Sequence, residues 1–338
     1  MDINLLKGTV SRMLADDKGL LAMDESIPTA NKRFKALGIP ETEEYRRKYR
    51  ELIVTTQGLE EYISGAILFD ETIYQQTDDG RSMLAILKEK GIVPGIKVDQ
   101  GTVDLPGFPG EKITEGLDGL ATRLADYSKQ GLLFAKWRAV ITIGNNIPTP
   151  MGIKANAFVL ARYAALCQQA GLVPIVEPEV LMDGSHSLQK CAEVTELVLH
   201  EVFEALHEMR VILDGMILKP NMVLPGKDCP VQDDLEAVAD ATVQCFMRAV
   251  PAAVPGIAFL SGGQSAQLAT ERLNTMHIRY PDLPWALTFS FSRAIQQPAL
   301  DKWAGKNENV AAAQQLLYER AGLNAEARQG NYMPAMEK

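Results

Sequence analysis

Lys219 closes the apolar run Gly215-Met216-Ile217-Leu218 and is followed by Pro220-Asn221. A short apolar run of this kind reads as a buried strand, which would carry a primary amine out of a low-dielectric layer and leave it at the strand's end. An amine so placed is a candidate nucleophile for imine formation with a carbonyl. Taken alone, a strand-terminal lysine most simply snorkels to water. Its company changes that reading. Side chains alternate across a strand, so residues two apart share a face. Four runs end in such pairs: Lys97/Asp99, Lys136/Arg138, Glu177/Glu179 and Lys219/Asn221. With Asp24 at the end of an earlier run, four cations and four carboxylates would gather in one layer, a set that is costly to desolvate without a use. Any single pair is equally well explained as a rim salt bridge. Five strands ending the same way are not.

The chemistry that such a set can perform follows from the residue types. An amine must be neutral to attack a carbonyl, and a neighbouring cation such as Lys136, together with apolar walls, favours the neutral form. Loss of water from the resulting carbinolamine needs a proton donor, for which Glu177 is a candidate. The imine then draws electrons from the adjacent carbons, so a carbon–carbon bond one step further out can break. The hydroxyl on the departing side must lose its proton, and Asp24 is the candidate base. Ser261-Gly262-Gly263-Gln264 allows close backbone approach at a strand-to-helix turn, where amide N–H groups favour an anion. Ser290 and Arg293 belong to the next strand end, and Arg293 can add a bidentate contact. On the other side, Lys97, Ser26 and Thr29 could meet a second phosphate, with Lys32 and Arg33 nearby unless these are only solvated helix charges. Two anion sites flanking one amine imply a bisphosphorylated sugar.

The elements needed to position these residues are also legible. Apolar runs cover residues 19–24, 63–69, 93–99, 134–141, 173–179, 215–221, 256–262 and 285–291. Between them lie helical patterns such as 43–57, 117–129, 154–169, 187–210, 235–250 and 264–277. Eight alternations predict an α/β fold: one single-domain (β/α)8 TIM barrel spanning 1–338, with a short N-terminal helix. A doubly wound sheet would normally offer a Gly-x-Gly-x-x-Gly turn after an early strand, and none occurs. The Gly-Pro-rich loop 101–110 follows the third strand on the face where barrels build their sites.

Composition narrows the function classes. A net charge of −9, with Lys and Arg dispersed among acids, argues against a nucleic-acid surface. The cysteines Cys167, Cys191, Cys229 and Cys245 have no paired spacing, and reduced thiols are expected. No run approaches the roughly 20 apolar residues that would span a bilayer, and the first residues do not read as a secretory signal. A cytoplasmic protein is expected, or one of the plastid stroma if a transit peptide was removed ahead of this numbering. His186, His200, His207 and His277 all lie outside the eight runs. His200 and His207 with Glu204 fit a solvated helix better than a metal site, so no metal is expected.

The chain resembles the class I, Schiff-base fructose-1,6-bisphosphate aldolases, closest to the type of plants and photosynthetic bacteria. The likeness is carried by Leu-Ala-Met-Asp-Glu-Ser (21–26), Pro-Gly-Ile-Lys-Val-Asp (94–99), Phe-Ala-Lys-Trp-Arg (134–138) and Pro-Ile-Val-Glu-Pro-Glu (174–179). It continues through Leu-Lys-Pro-Asn-Met-Val (218–223), Phe-Leu-Ser-Gly-Gly-Gln (259–264) and Thr-Phe-Ser-Phe-Ser-Arg-Ala (288–294). The resemblance implies a lyase that needs no metal or cofactor. It would cleave fructose 1,6-bisphosphate reversibly into dihydroxyacetone phosphate and glyceraldehyde 3-phosphate, in glycolysis and gluconeogenesis, with the Calvin cycle and sedoheptulose 1,7-bisphosphate as further options. A homotetramer is also implied. Lys219 matches the imine-forming lysine, Glu177 the acid/base of imine formation, Asp24 the residue that handles the C4 hydroxyl proton, and Lys136 and Glu179 supporting charges. Arg33, Ser261, Gly262, Gly263, Ser290 and Arg293 match substrate-holding positions, mainly for one phosphate. Lys97, Arg138, Ser26 and Thr29 resemble the surroundings of the other. The alternative is a non-catalytic or moonlighting phosphosugar-binding oligomer, against which the intact set Asp24, Lys136, Glu177 and Lys219 counts.

Two departures from the family pattern stand out. Ser292 occupies a position where the family commonly has Gly or Ala, so a side chain could alter the backbone's approach to a phosphate. The chain ends at Met336-Glu337-Lys338, a truncated C-terminal tail without the terminal Tyr that helps move a proton at C3 in many members. Tyr332 is not expected to inherit that role, and slower enamine protonation or a substitute donor is expected.

Overall fold

The computed structural model describes residues 2–337. Among the described residues there are ten strands: β1 (Gly19–Met23), β2 (Ile63–Leu68), β3 (Val93–Lys97), β4 (Thr102–Asp104), β5 (Lys112–Thr114), β6 (Phe134–Ile141), β7 (Val173–Val180), β8 (Ile217–Leu218), β9 (Gly256–Phe259) and β10 (Ala286–Phe291). Eight of them close a parallel barrel in the order β1-β10-β9-β8-β7-β6-β3-β2. Helices follow the strands and form the outer layer, as the alternation predicts. The loop expected at 101–110 proves to belong to a two-stranded antiparallel hairpin, β4-β5.

The strand expected over 215–221 is the one most reduced. Leu213–Gly215 forms a single 3-10 turn, and the strand is reduced to Ile217 and Leu218, of which both pair with β7 and only Leu218 with β9. Pro220 has no N–H to extend the ladder. The helix expected over 154–169 instead begins at Pro150, because Pro is tolerated in a first turn and Thr149 caps it by accepting from the Gly152 N–H.

Alternation up each wall explains how the site is placed. Leu20 and Ala22 lead to Asp24, Val93 and Gly95 to Lys97, Phe134 to Lys136 and Arg138, Val173 and Ile175 to Glu177 and Glu179, and Ile217 to Lys219. The lower interior is an apolar cluster that includes Leu20, Ile67, Phe134, Val173, Ile175, Ile217 and Ala258. Gly95 makes room for it: a Cβ there would fall 2.1 Å from the Phe134 ring. The N-terminal helix Ile3–Met13 packs Leu6, Val10 and Met13, spaced three and four apart on one stripe, under this cluster as a floor. At about 25 cal/mol per Å² of apolar surface removed from water, each fully buried Leu or Val contributes roughly 1.5–3 kcal/mol.

Candidate active site

At the opposite end, the strands' C-terminal edges surround a cavity of about 560 Å³. Its wall contains Asp24, Ser26, Thr29, Arg33, Lys97, Lys136, Arg138, Glu177, Glu179, Lys219, Ser261, Gly262, Ser290 and Arg293, whereas Asp99, Asn221, Gly263 and Gln264 are not part of it. Lys219 enters it from the short strand β8, with its backbone N–H donated to Val176 O at 2.8 Å and its side chain almost wholly buried. The Lys219 Nζ lies 3.5 Å from Glu177 Oε1. The other oxygen of the same carboxylate, Oε2, lies 3.4 Å from Lys136 Nζ, which also meets Asp24 Oδ2 at 2.7 Å and Asp99 Oδ2 at 3.9 Å.

The electrostatics follow from this alternation of sign. Burial alone would raise the Asp24 carboxyl, but the ammonium groups of Lys136, Lys219 and Lys97 outweigh it and hold the value at about 2. Burial would likewise weaken Lys136 as a cation, and Asp24, Glu177 and Asp99 reverse this and leave it more firmly protonated than an ordinary lysine. Lys136 is thus not a bare cation beside Lys219. It is caged by three carboxylates and shares one of them with the amine.

One flank of the cavity comes from β3, β6 and the turn after β1. Lys97 Nζ donates to Asp99 Oδ1 at 2.5 Å and to Asp99 O at 2.7 Å, and Arg138 Nε donates to Glu179 Oε2 at 2.5 Å. Burial opposes the Arg138 charge, and Glu179 restores it and pushes the guanidinium value up. Ser26 and Thr29 share a hydroxyl contact at 3.0 Å. The other flank comes from β9 and β10. Gly262 and Gly263 both have left-handed backbones, with φ of 58° and 89°, which glycine adopts without strain. Ser290 Oγ is buried and has no hydrogen-bond partner among the described residues.

Glu25 was not expected as a site residue, yet it knits the rim together. Its carboxylate accepts from Arg33 Nη1 at 2.6 Å, Arg50 Nη1 at 2.7 Å and Ser292 Oγ at 2.7 Å. Burial would raise the Glu25 carboxyl, and Arg50 and Arg33 prevail and lower it. Arg33 lines the cavity but is committed to Glu25 and, through Nη2, to Gln297. Asn221 is a correction to the pairing rule. Its Oδ1 accepts from Val180 N and its Nδ2 donates to Thr195 Oγ1 and Met222 O, so it braces the outer layer and does not share the Lys219 face. Alternation fails there because the strand has already stopped at Leu218.

The model of the family described as fructose-bisphosphate aldolase class-I matches residues 5–338. The chain belongs to the class-I fructose-bisphosphate aldolase family. A probable class 1 fructose-bisphosphate aldolase of Xanthomonas campestris is 54% identical over 333 residues, covering 98% of this chain and 99% of the relative. Cytosolic fructose-bisphosphate aldolase 4 of Arabidopsis thaliana is 52% identical over 315 residues, covering 93% of this chain and 80% of the relative. Among solved structures, the fructose-bisphosphate aldolase of Plasmodium falciparum, crystallised with TRAP and a small-molecule inhibitor, matches with a TM-score of 0.96 and 47% identity. It covers 98% of this chain and 95% of that one.

Within this aldolase framework the two departures have definite places. The Ser292 hydroxyl donates to Glu25, joining the β10 turn to the β1 turn at the cavity wall. Tyr332 is buried against the helix Ala266–Arg279, where its backbone N–H donates to Asn274 Oδ1, its carbonyl accepts from Asn274 Nδ2, and its hydroxyl donates to Glu337 Oε1 at 3.0 Å. It is not part of the cavity wall. Lys338, the last residue of the expected tail, lies outside the described residues. Among the described residues no group of three His, Cys, Asp or Glu side chains is arranged to hold a metal, and no helix is long and apolar enough to cross a membrane.

Proposed function

We propose that this aldolase cleaves fructose 1,6-bisphosphate reversibly by forming an imine between Lys219 Nζ and the C2 carbonyl of the open-chain sugar. The observation that carries the reading is the shared carboxylate, Glu177, whose two oxygens reach Lys219 and Lys136. Glu177 takes a proton from the Lys219 ammonium, the neutral amine adds to C2, and the carbinolamine hydroxyl leaves as water on taking a proton from Glu177. Asp24, ionised throughout the neutral range, accepts the C4 hydroxyl proton. The C3–C4 electron pair then moves into the iminium as the bond breaks. Glyceraldehyde 3-phosphate departs, and the enamine left on Lys219 is protonated at C3 and hydrolysed to dihydroxyacetone phosphate. Lys136 holds Asp24 in place and stabilises negative charge that develops on the C4 oxygen.

The phosphate next to C2 is assigned to the β9/β10 flank, which adjoins β8 and its lysine. Ser261, Gly262, Gly263, Ser290 and Arg293 are its proposed contacts. Lys97, Arg138, Ser26 and Thr29 are proposed to receive the distal phosphate. Sedoheptulose 1,7-bisphosphate presents the same ketose end and is a second proposed substrate. A homo-oligomer and a cytoplasmic location complete the proposal, the latter supported by relatives named as cytosolic.

The test is to incubate the protein with dihydroxyacetone phosphate, reduce with borohydride and map the adduct by mass spectrometry. A stable three-carbon phosphate adduct on Lys219 is expected. An unmodified Lys219, or cleavage abolished by a chelator, would overturn the reading.

A further inference from the structure

We propose that Lys227 is a second cation of the β9/β10 phosphate cradle, held in reserve by Asp183. The proposal rests on the reading of the Ser261–Gly263 turn and Arg293 as a phosphate cradle, and it adds a residue that no strand-end pattern contains.

The loop after β8 is fixed to the loop after β7 by three backbone hydrogen bonds. Gly226 N donates to His186 O at 2.8 Å, Lys227 N to Met182 O at 2.8 Å and Asp228 N to Gly184 O at 2.9 Å. This closeness requires glycine at 226, where a Cβ would stand 2.2 Å from Gly184 O. The Lys227 backbone is therefore held in place by a bonded junction, and its long side chain starts from a defined point. The ammonium ends beside Gly263, at the edge of the Ser261–Gly263 turn. A Cβ built on Gly263 would lie 3.3 Å from Lys227 Nζ and 3.2 Å from Arg293 Nη2, so two cations from different loops converge on one glycine with a left-handed backbone.

Two like charges gathered at one point repel, and an anion placed between them removes that cost. The present partner of Lys227 is Asp183 Oδ1 at 3.0 Å, with the lysine side chain about half-exposed and the aspartate more so. An exposed pair of this kind contributes little, so a phosphate dianion in the cradle can take Lys227 from it. Arg293 would then supply a planar fork and Lys227 a mobile point charge to the same group. Asp183 acts as a competitor that sets how readily the second cation is released.

The experiment measures KM and kcat for fructose 1,6-bisphosphate cleavage, and the inhibition constant of inorganic phosphate, in K227M, K227R, D183N and R293A. K227M is expected to raise both KM and the phosphate inhibition constant by roughly 5- to 20-fold with kcat nearly unchanged, and K227R to recover most of the loss. D183N is expected to shift both constants the other way by about 2-fold, most clearly at low salt. If R293A weakens both constants while K227M leaves them unchanged, Lys227 is only a surface charge and the inference fails, with the cradle intact. If R293A and K227M both leave phosphate inhibition unchanged, the cradle reading itself fails and takes the inference with it. Thermal unfolding of K227M should match the parent protein, since the side chain is half-exposed.

Discussion

The two flanks of the barrel mouth carry the same sign of charge in different ways. On the β3/β6 flank each cation already has a carboxylate: Lys97 has Asp99 and Arg138 has Glu179. On the β9/β10 flank the donors are left-handed glycines, an unpartnered Ser290 hydroxyl and Arg293, for which no ion pair is formed among the described residues. In the strand order β3 and β9 stand four places apart in a ring of eight, so the flanks face each other across the barrel mouth. An anion arriving at β9/β10 meets an uncompensated positive field, whereas one arriving at β3/β6 must share cations with carboxylates that are already in place. The first arrangement fits the proposed seat of the phosphate that stays with the tethered triose, and the second the proposed seat of the one that leaves.

Glu25 links the flanks, and removing it is expected to have the largest effect. E25A would leave the Arg33 and Arg50 guanidiniums buried without their carboxylate, at a cost of about 3–5 kcal/mol in unfolding free energy by denaturant titration. A loss below about 1 kcal/mol would show that the two turns are held independently. The next effect tests the comparison directly. R293A should raise KM for fructose 1,6-bisphosphate roughly 50-fold and R138A less than about 10-fold, because only the former removes an unshared charge. Equal effects in steady-state kinetics would erase the distinction between the flanks.

The smallest expected effect concerns acid. The Asp24 carboxyl is held at about 2 against an ordinary value of 3.8, so the folded state binds its proton less readily than the unfolded chain. Its contribution is fully present above about pH 4 and is lost as pH falls through about 2, on the order of 2 kcal/mol in total. D24N should show a shallower loss of unfolding free energy across that window when followed by circular dichroism. An identical slope would mean that the buried lysines do not hold Asp24 in its charged form.

What the sequence disclosed depended on whether a residue sat within a regular strand. Lys97, Lys136, Arg138, Glu177 and Glu179 lie on or directly after paired strands, and period two places them in the mouth. Asn221 breaks the rule because Pro220 ends the ladder first. Glu25 lies next to Asp24 in the chain but depends on Arg33, Arg50 and Ser292, contacts reaching from 8 to 267 residues away that no local period encodes. Its sole sequence signal was the Asp24-Glu25-Ser26 motif. Lys227 had none, since its position is set by a junction between two loops. The fold was legible because eight alternations leave few topologies, while element ends moved wherever a proline or a cap intervened.

The floor made by Leu6, Val10 and Met13 has a consequence for traffic. A barrel sealed below is a room with one door, so substrate, water and both products must use the same opening. In the proposed reaction the half bonded to Lys219 is held in place, while the aldehyde half is free to move to that opening. On that proposal departure is queued by architecture: the aldehyde leaves before the bonded half, and the hydrolysing water enters through the same opening.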